Sequence, residues 1–230
     1  MEQESGDGRA EQLGELGPLP GGHHGLSRQQ IMDSQRERLL AAMAREVAVS
    51  GYRGTTITEV VKLASVSTRD FYELFDGKEH CFLAAFDAVR DHVEELVRSA
   101  AADQSDWPHQ VIAALRAALH FFAAEPDLAR LCLVEPVSAT LPTAIRFREA
   151  VIACVPALER GRAEMGDASS LPESTEDSLL GGVVSLAARS ILADETEKLP
   201  ALLPDLTEFL LSPYLGTERA AELGAEARTT

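Results

Sequence analysis

The segment STRDFYELF, at residues 67–75, combines hydrogen-bonding side chains with two phenylalanines. In a helix, Phe71 and Phe75 lie four residues apart and share one face. The opposite face then carries Thr68, Arg69, Asp70, Tyr72 and Glu73. An arginine can bind guanine O6 and N7 together, and a carboxylate can accept a hydrogen bond from cytosine N4. This set of polar groups therefore favours contacts with base edges in the major groove of DNA.

The polar residues of this segment have different candidate contacts. Arg69 suits guanine, Asp70 suits cytosine, and Thr68 suits a thymine methyl group or a phosphate. The other candidates for DNA contact, mainly with phosphate, are Thr56, Ser67, Tyr72 and Lys78. The alternative interpretation is that Arg69 and Glu73, which are four residues apart, only form a weak ion pair on the helix surface.

Two very short predicted helices must position these side chains. They cover residues 57–64 and 68–75, and the tight SVS turn between them places Val66 where it can be buried. Helices of this length are marginal on their own, so longer neighbours must hold them. Two helices joined in this way form a helix-turn-helix, whose second helix enters the major groove near its N-terminus.

Four helix-start signals occur within about fifty residues. Each pairs a capping residue with a polar residue three positions later, at Ser27–Gln30, Thr56–Glu59, Ser67–Asp70 and Asp76–Glu79. An N-cap is worth about 1 kcal/mol, and it fixes where a helix begins. The first signal opens a helix that ends at Gly51, a suitable C-terminal cap. The last opens a long helix with an apolar face that begins at Phe82.

A longer run resembles the DNA-binding domain of the TetR family of bacterial transcriptional regulators. The matching features include Leu39–Leu40, Gly51–Tyr52, Thr55–Thr56, residues 64–67, Phe71–Tyr72, Phe75 and Lys78–Glu79. The resemblance implies a homodimer that binds palindromic operator DNA through this domain. It also implies a larger C-terminal domain that dimerises and binds a small-molecule effector, which lowers the affinity for DNA.

Three positions depart from the family pattern. Ser65 stands in the turn where glycine is common, Arg69 stands where a glycine is common early in the recognition helix, and Leu74 replaces a histidine or aromatic residue. The base preferences of the family therefore do not transfer to this chain.

Composition and charge indicate the fold class and bear on whether the chain binds nucleic acid. The 230 residues are 45% hydrophobic and rich in Leu and Ala, which predicts an all-α protein. The net charge of −16 argues against a nucleic-acid partner, but residues 27–80 carry eight basic and eight acidic side chains. We predict a disordered acidic tail at residues 1–26, a DNA-binding domain at 27–80 and a helical regulatory and dimerisation domain at 81–230.

The cellular compartment is predicted from cysteines and from the N-terminus. Cys81, Cys132 and Cys154 are isolated in apolar patterns, which is typical of a reducing compartment. The first residues are acidic rather than basic, and no apolar run approaches the roughly 20 residues of a membrane span. We expect a cytoplasmic protein without a membrane partner, and without a metal or cofactor, since the adjacent His23 and His24 in a glycine-rich tail are typical of solvated side chains.

The C-terminal region is predicted to hold helices at residues 111–124, 126–134, within 141–164, at 175–193, and last at 204–211. By resemblance, the last two helices form the dimer interface. Small residues at Gly181, Gly182, Ser185 and Ala188 would permit close helix packing there, and the alternative is ordinary packing within one chain. The candidate effector-binding residues are Phe121, Phe122, Cys132, Phe147, Cys154 and Arg189. Arg116 and Arg146 also lie in apolar helices and could anchor an anionic ligand. A medium-sized apolar or weakly acidic metabolite would suit this set.

Three other functions remain open at this point. One is an all-α enzyme or ligand carrier that retains the helix-turn-helix as scaffold, although no catalytic motif accompanies it. Another is a structural DNA-binding protein, for which residues 104–230 would be surplus. The third is a thiol sensor, in which the helix N-terminus would lower the pKa of Cys81.

Overall fold

The computed structural model describes residues 27–164 and 170–228, and within these ranges the chain is helical with no strand. The prediction of an all-α fold is confirmed. The chain divides into two compact units, one up to Asp87 and one from Ala88 onward. The boundary lies inside the fourth helix, whereas the sequence places a domain boundary at residue 80, near the start of that helix. The predicted tail at residues 1–26, including His23 and His24, lies outside the described residues.

The first unit contains three helices and the beginning of a fourth. They are α1 Arg28–Gly54, α2 Ile57–Ala64, α3 Thr68–Leu74 and α4 Lys78–Ala102. Gly51 interrupts α1 with φ 67° and ψ 163°, a backbone conformation that is essentially restricted to glycine. The predicted end of the first helix at Gly51 therefore marks a real break, after which one further turn leads to Thr55.

Buried side chains from all four helices form the core of this unit. The side chains that are completely or almost completely buried are those of Leu39, Met43, Val47, Val60, Phe71, Phe75, Cys81 and Phe82. The rings of Tyr52 and Phe82 meet edge to face with centroids 5.1 Å apart, which fixes the end of α1 against α4. Val66, in the turn between α2 and α3, is buried as predicted. The two short helices are thus held by their long neighbours.

Three of the four predicted start signals form caps, and one does not. Ser27 and Gln30 form a reciprocal capping box. Thr56 and Ser67 each accept from the backbone N–H three residues later. The predicted cap at Asp76 is wrong, because α4 begins at Lys78 and the backbone N–H of Asp76 donates instead to Nδ1 of His80.

The second unit continues with eight further α-helices and a 3-10 helix in the described residues. They are α5 Trp107–Ala124, α6 Pro126–Leu133, α7 Glu135–Ala139, α8 Leu141–Ile152, α9 Val155–Glu164, α10 Thr175–Leu192, the 3-10 helix Thr196–Leu202, α11 Leu203–Leu215 and α12 Thr217–Ala227. The predicted break before Pro126 and the predicted helix from Thr175 are both present.

Two helix predictions in this unit are wrong. The helix expected within residues 141–164 is two helices, because Pro156 lacks an N–H and its ring would clash with the carbonyl group four residues earlier. The helix expected to be last, 204–211, runs to Leu215 through Pro213 and is followed by α12. Gly216, with φ 80° and ψ 160°, makes the sharp turn between them.

A buried polar cluster joins four parts of the second unit. Glu176, at the start of α10, is only 1% exposed. Its Oε1 accepts from Nε of Arg162 and from the hydroxyl of Tyr214, both at 2.7 Å, and its Oε2 accepts from Nη2 of Arg162 at 2.5 Å. Arg162 also donates to the carbonyl groups of Leu171 and Pro172, each at 2.7 Å. The cluster therefore connects α9, the loop before α10, α10 and α11.

Aromatic packing lies beside this cluster. The rings of Trp107 and Tyr214 meet edge to face with centroids 5.0 Å apart, and Nε1 of Trp107 donates to the carbonyl group of Ala157 at 2.8 Å. The indole lies directly against Gly161 of α9. The indole of α5 is thus held by contacts with α9 and α11.

The thiol-sensor hypothesis does not fit the position of Cys81. Its side chain is fully buried, and burial raises the pKa of the thiol to about 12, although the charge of Arg36 acts in the opposite direction. A reactive thiolate needs a lowered pKa and access to solvent. The expected lowering by the helix N-terminus is therefore wrong.

No helix among the described residues has the length and apolar character to cross a membrane. In the same residues, no cluster of three or more potential ligands could hold a metal ion.

Candidate nucleic-acid interface

The third helix presents one buried face and one polar face. Phe71 and Phe75 are 0% and 2% exposed, and together they anchor α3 to the core of the first unit. On the other side, the Arg69 side chain is 86% exposed and Tyr72 is 57% exposed. Thr68 is exposed as well. The face that the sequence assigns to DNA contact is therefore open to a ligand.

The turn between α2 and α3 is fixed by an arginine from α1. Ser65 adopts the left-handed conformation, with φ 52° and ψ 44°. This conformation costs a non-glycine residue about 1 kcal/mol, which explains why glycine is common here in the family. Nη1 of Arg38 donates to the carbonyl groups of Ala64 at 2.9 Å and Ser65 at 3.2 Å. Arg38 thus caps the end of α2 and holds the angle of the turn.

Arg69 does form the ion pair that the sequence allows. Its Nε donates to Oε1 of Glu73 at 3.3 Å. The other carboxylate oxygen of Glu73 lies 3.9 Å from Nη2 of Arg28, in the first turn of α1. Both arginine side chains are highly exposed, so these pairs contribute little to the stability of the fold. Their importance lies in where they place the guanidinium group of Arg69.

Asp70 is also held from α1. Its Oδ2 accepts from Nε2 of Gln35 at 3.3 Å, and its backbone N–H donates to the hydroxyl of Ser67 at 3.1 Å. The side chain is half-buried rather than fully exposed. Oδ2 therefore already accepts one hydrogen bond within the protein, and Oδ1 is the less encumbered acceptor for cytosine N4.

The predicted phosphate contacts fall into two groups. Thr56 and Ser67 are exposed N-caps of α2 and α3, and Tyr72 is exposed while its ring packs edge to face on Phe71. Lys78 differs, because its Nζ donates to the carbonyl groups of Tyr52 at 2.8 Å and Thr55 at 2.9 Å. The same Nζ lies 4.3 Å from the centroid of the Tyr52 ring. In this structure Lys78 braces the segment that leads into α2.

Two cations near the interface were missed by sequence reasoning. Arg53 lies in the last turn of α1, and Lys62 lies in the last turn of α2. Both are exposed, and neither forms a hydrogen bond or ion pair with a described residue. Their signal was available in the sequence, since each is a basic residue within or shortly before the predicted helix at residues 57–64.

The predicted effector residues do not all come together. Phe121 and Phe122 contact each other with centroids 5.2 Å apart, and His92 packs on Phe121 at the same distance. Cys132 is buried, Phe147 is half-buried, and Cys154 and Arg189 are exposed. Among the described residues, no hydrogen bond, ion pair or ring contact joins these four residues to the phenylalanine pair.

A groove of about 430 Å³ lies elsewhere, between α10 and α11. Its lining residues are Leu179, Asp205, Glu208, Phe209, Ser212 and Pro213. None of the six predicted effector residues is among them. Phe209 is 42% exposed, and its ring lies against Gly182 of α10.

Comparison with known proteins connects this geometry to a family. The family model of the bacterial regulatory proteins of the tetR family matches residues 39–85, which contain α2, α3 and their flanking segments. An uncharacterized HTH-type transcriptional regulator, YdgC, of Bacillus subtilis (strain 168) is 29% identical over 100 residues, which is 42% of this chain. The match spans about half the length of that relative, 51%.

Solved structures resemble a larger part of the chain. The fatty acid degradation regulator FadR from Bacillus halodurans has a TM-score of 0.67 at 16% identity, over 77% of this chain and 94% of that one. FadR from Bacillus subtilis, solved in complex with stearoyl-CoA, has a TM-score of 0.63 at 16% identity, over 78% of this chain and 97% of that one. A TetR transcriptional regulator from Chloroflexus aurantiacus J-10-FL has a TM-score of 0.61 at 20% identity, over 80% and 96%. At these identities the likeness shows the fold.

The relatives named above are regulators, and none of them is named as an enzyme. The family match covers the helix-turn-helix, and the fold likeness extends into the second unit. Residues 39–85 of this chain thus match the family model of the tetR family of bacterial regulatory proteins.

Proposed function

We propose that the protein is a repressor that binds a palindromic operator as a homodimer, in the cytoplasm where bacterial DNA lies, and releases it when an effector binds. The observation that carries the proposal is the exposed polar face of α3, with Arg69 at its N-terminal end and a buried pair of phenylalanines beneath it. Recognition helices contact bases near their N-terminus, and dimers place two such helices one turn of DNA apart.

Replacing Arg69 tests base recognition directly. Fluorescence anisotropy on a duplex that the wild-type protein has selected from a random-sequence library should show Arg69→Ala binding roughly 5- to 150-fold more weakly, because a bidentate contact with guanine is worth about 1–3 kcal/mol. Arg228→Ala removes the same charge from the exposed end of the chain, and it should bind like the wild type. Equal affinities of the wild type and Arg69→Ala would refute the role of Arg69.

We place the dimer interface on α10 and α11. Gly181 and Ser185 are exposed on α10, and they lie on the same helix as Leu192, which is 60% exposed. The exposed ring of Phe209 borders the groove on α11. Small residues permit close approach of helices, and exposed apolar side chains gain free energy when a second copy covers them.

Phe209→Asp should convert the dimer to a monomer, because it puts a charge into an interface that would otherwise bury an aromatic ring. Sedimentation velocity on the full chain measures the change in mass. Leu141→Asp, on α8, puts the same charge at a residue that is 73% exposed, and it should leave the dimer intact. A dimer that survives Phe209→Asp would place the interface elsewhere.

We propose that the effector is an anionic amphiphile of the long-chain acyl-CoA class. Residues 113–118 of α5 are all half-buried, which leaves an apolar helix incompletely covered. Arg116 lies within that run and forms no ion pair with a described residue. The fold likeness to a regulator solved with stearoyl-CoA supports this class. In the anisotropy assay, stearoyl-CoA should release the duplex, whereas CoA alone should not.

A further inference from the structure

The contact between Arg69 and Glu73 uses only one edge of the guanidinium group. The Nε–H points at Oε1 of Glu73, 3.3 Å away. No described residue binds the two terminal amino groups of Arg69, Nη1 and Nη2. The carboxylate therefore holds the side of the group that faces back along the helix and leaves its outer end open.

The open end has the geometry that guanine requires. Guanidinium is a planar fork of five N–H donors, and it can pair with two acceptors through its terminal amino groups while Nε–H bonds elsewhere. Guanine presents O6 and N7 side by side in the major groove. An Arg69 whose Nε edge is fixed can thus meet a guanine end-on, with less side-chain freedom left to lose on binding.

A second arginine steadies the carboxylate. The other oxygen of Glu73 lies 3.9 Å from Nη2 of Arg28. The Glu73 side chain is 40% exposed, about half as much as either arginine. In water these pairs are weak, but charge-assisted bonds strengthen when a docked duplex removes the surrounding solvent.

The same carboxylate opposes binding to DNA of the wrong sequence. Glu73 is a negative charge on the face that would approach phosphates, and non-specific affinity depends on phosphate neutralisation. On a matching site the acid orients the base-reading arginine. On any other site the Glu73 carboxylate only repels the DNA phosphates.

We propose that Glu73 is a positioning residue that sets sequence specificity, by fixing Arg69 for end-on contact with guanine and by repelling DNA that offers no guanine there. This inference rests on the proposed function, because it requires that α3 reads operator DNA. A competing role for Glu73 is a latch that withholds Arg69 from DNA. The geometry favours positioning, because a latch would engage the terminal amino groups and Glu73 engages Nε alone.

The test compares variants of the full chain on two duplexes. One duplex is selected from a random-sequence library by the wild-type protein, and the other is a scrambled duplex of equal length and composition. Glu73→Ala should bind the selected duplex at least about fivefold more weakly, and the scrambled one equally or more tightly. Glu73→Gln retains an acceptor oxygen for Nε–H and should recover most of the lost affinity.

Two further comparisons separate positioning from general effects of charge and fold. Glu37→Ala removes an exposed acid from α1 that forms no hydrogen bond or ion pair with a described residue, and it should not weaken binding to the selected duplex. In the Arg69→Ala background, Glu73→Ala should cause no additional loss, since residues that act through one contact are not additive. Replacing the contacted guanine by 7-deazaguanine, which lacks N7, should reduce the DNA affinity of the wild type by a larger factor than that of Glu73→Ala.

Three results would overturn the inference. Tighter binding of the selected duplex by Glu73→Ala would establish the latch instead. An equal loss from Glu73→Ala with and without Arg69 would show that Glu73 acts independently of that residue. A wild-type protein that enriches no sequence from the library would overturn the proposed function, and the role of Glu73 would fall with it.

Discussion

Glu176→Gln is expected to lower the free energy of unfolding by about 3 kcal/mol or more, the range found when one member of a buried ion pair is removed. The carboxylate is 1% exposed and accepts three hydrogen bonds, two from Arg162 and one from Tyr214. Glutamine has nearly the same shape, but it is neutral. Its N–H₂ group, itself a hydrogen-bond donor, would face a donor group of Arg162 or Tyr214. The charge of Arg162 then lacks its counter-ion, and at least one hydrogen bond is lost.

Urea unfolding followed by circular dichroism measures this effect. Glu173→Gln is the matched control, because Glu173 lies three residues earlier in the same acidic segment and is exposed. That substitution should change the free energy of unfolding by less than about 0.5 kcal/mol. If the two variants lose the same stability, the cluster of Arg162, Glu176 and Tyr214 does not stabilise the second unit.

The contribution of Glu176 should also depend on pH in a defined direction. Hydrogen bonds from Arg162, and then from Tyr214, lower the pKa of Glu176 from 4.5 to about 2, despite its burial. Because the folded-state pKa lies below the unfolded value, the stabilisation is complete above pH 4.5 and is lost as the pH falls toward 2. The difference in stability between the wild type and Glu176→Gln should therefore narrow over that window.

The part of the site that local sequence encodes was predictable to within a residue. Helices α2 and α3 begin where Thr56 and Ser67 cap them, and α3 ends one residue before the predicted Phe75. These boundaries depend on hydrogen bonds over three or four residues, so a short stretch of sequence contains the whole interaction. The outward direction of Arg69 follows from the same local helix period.

The contacts that sequence reasoning missed join residues far apart in the chain. Arg38 caps a helix that ends 26 residues later, and Gln35 binds Asp70 across 35 residues. Lys78 was predicted to contact phosphate, but Tyr52 and Thr55 provide carbonyl groups that bind its ammonium group. Nothing in the order of residues specifies which carbonyl a long basic side chain will reach. Glu176 illustrates the same limit, since no local feature distinguishes it from exposed Glu173.

Helix ends that depend on tertiary packing were likewise missed. Pro213 predicts a stop in α11, yet the helix continues through it to Leu215 and forgoes the one backbone hydrogen bond for which proline has no N–H. Packing then supports α12, whose Gly224 lies so close to Pro204 of α11 that a Cβ there would be 2.8 Å from the Pro204 carbonyl oxygen. This close approach of two helices is a property of the folded unit.

Gly161→Ala should lower the free energy of unfolding by about 2 kcal/mol, although alanine is the better helix former by about 0.5–1 kcal/mol. A Cβ at residue 161 would overlap the six-membered ring of Trp107, with even its Cε2 only 2.8 Å away. The indole cannot move aside easily, because its Nε1 is hydrogen-bonded to Ala157 and its ring packs on Tyr214.

Gly181→Ala provides the opposite case for the same substitution. Gly181 also lies within a helix, but no atom comes within 4 Å of a Cβ placed there. Within the subunit, that variant should be as stable as the wild type or more stable by up to about 1 kcal/mol. Because Gly181 lies on the proposed dimer face, both glycine variants are compared in the monomeric Phe209→Asp background. Tryptophan fluorescence during urea unfolding measures the stability of both variants. The signal comes from Trp107, the one tryptophan of the chain and the residue against which Gly161 packs. If Gly161→Ala unfolds at the wild-type midpoint, the indole has room to shift and Trp107 does not fix the spacing between α5 and α9.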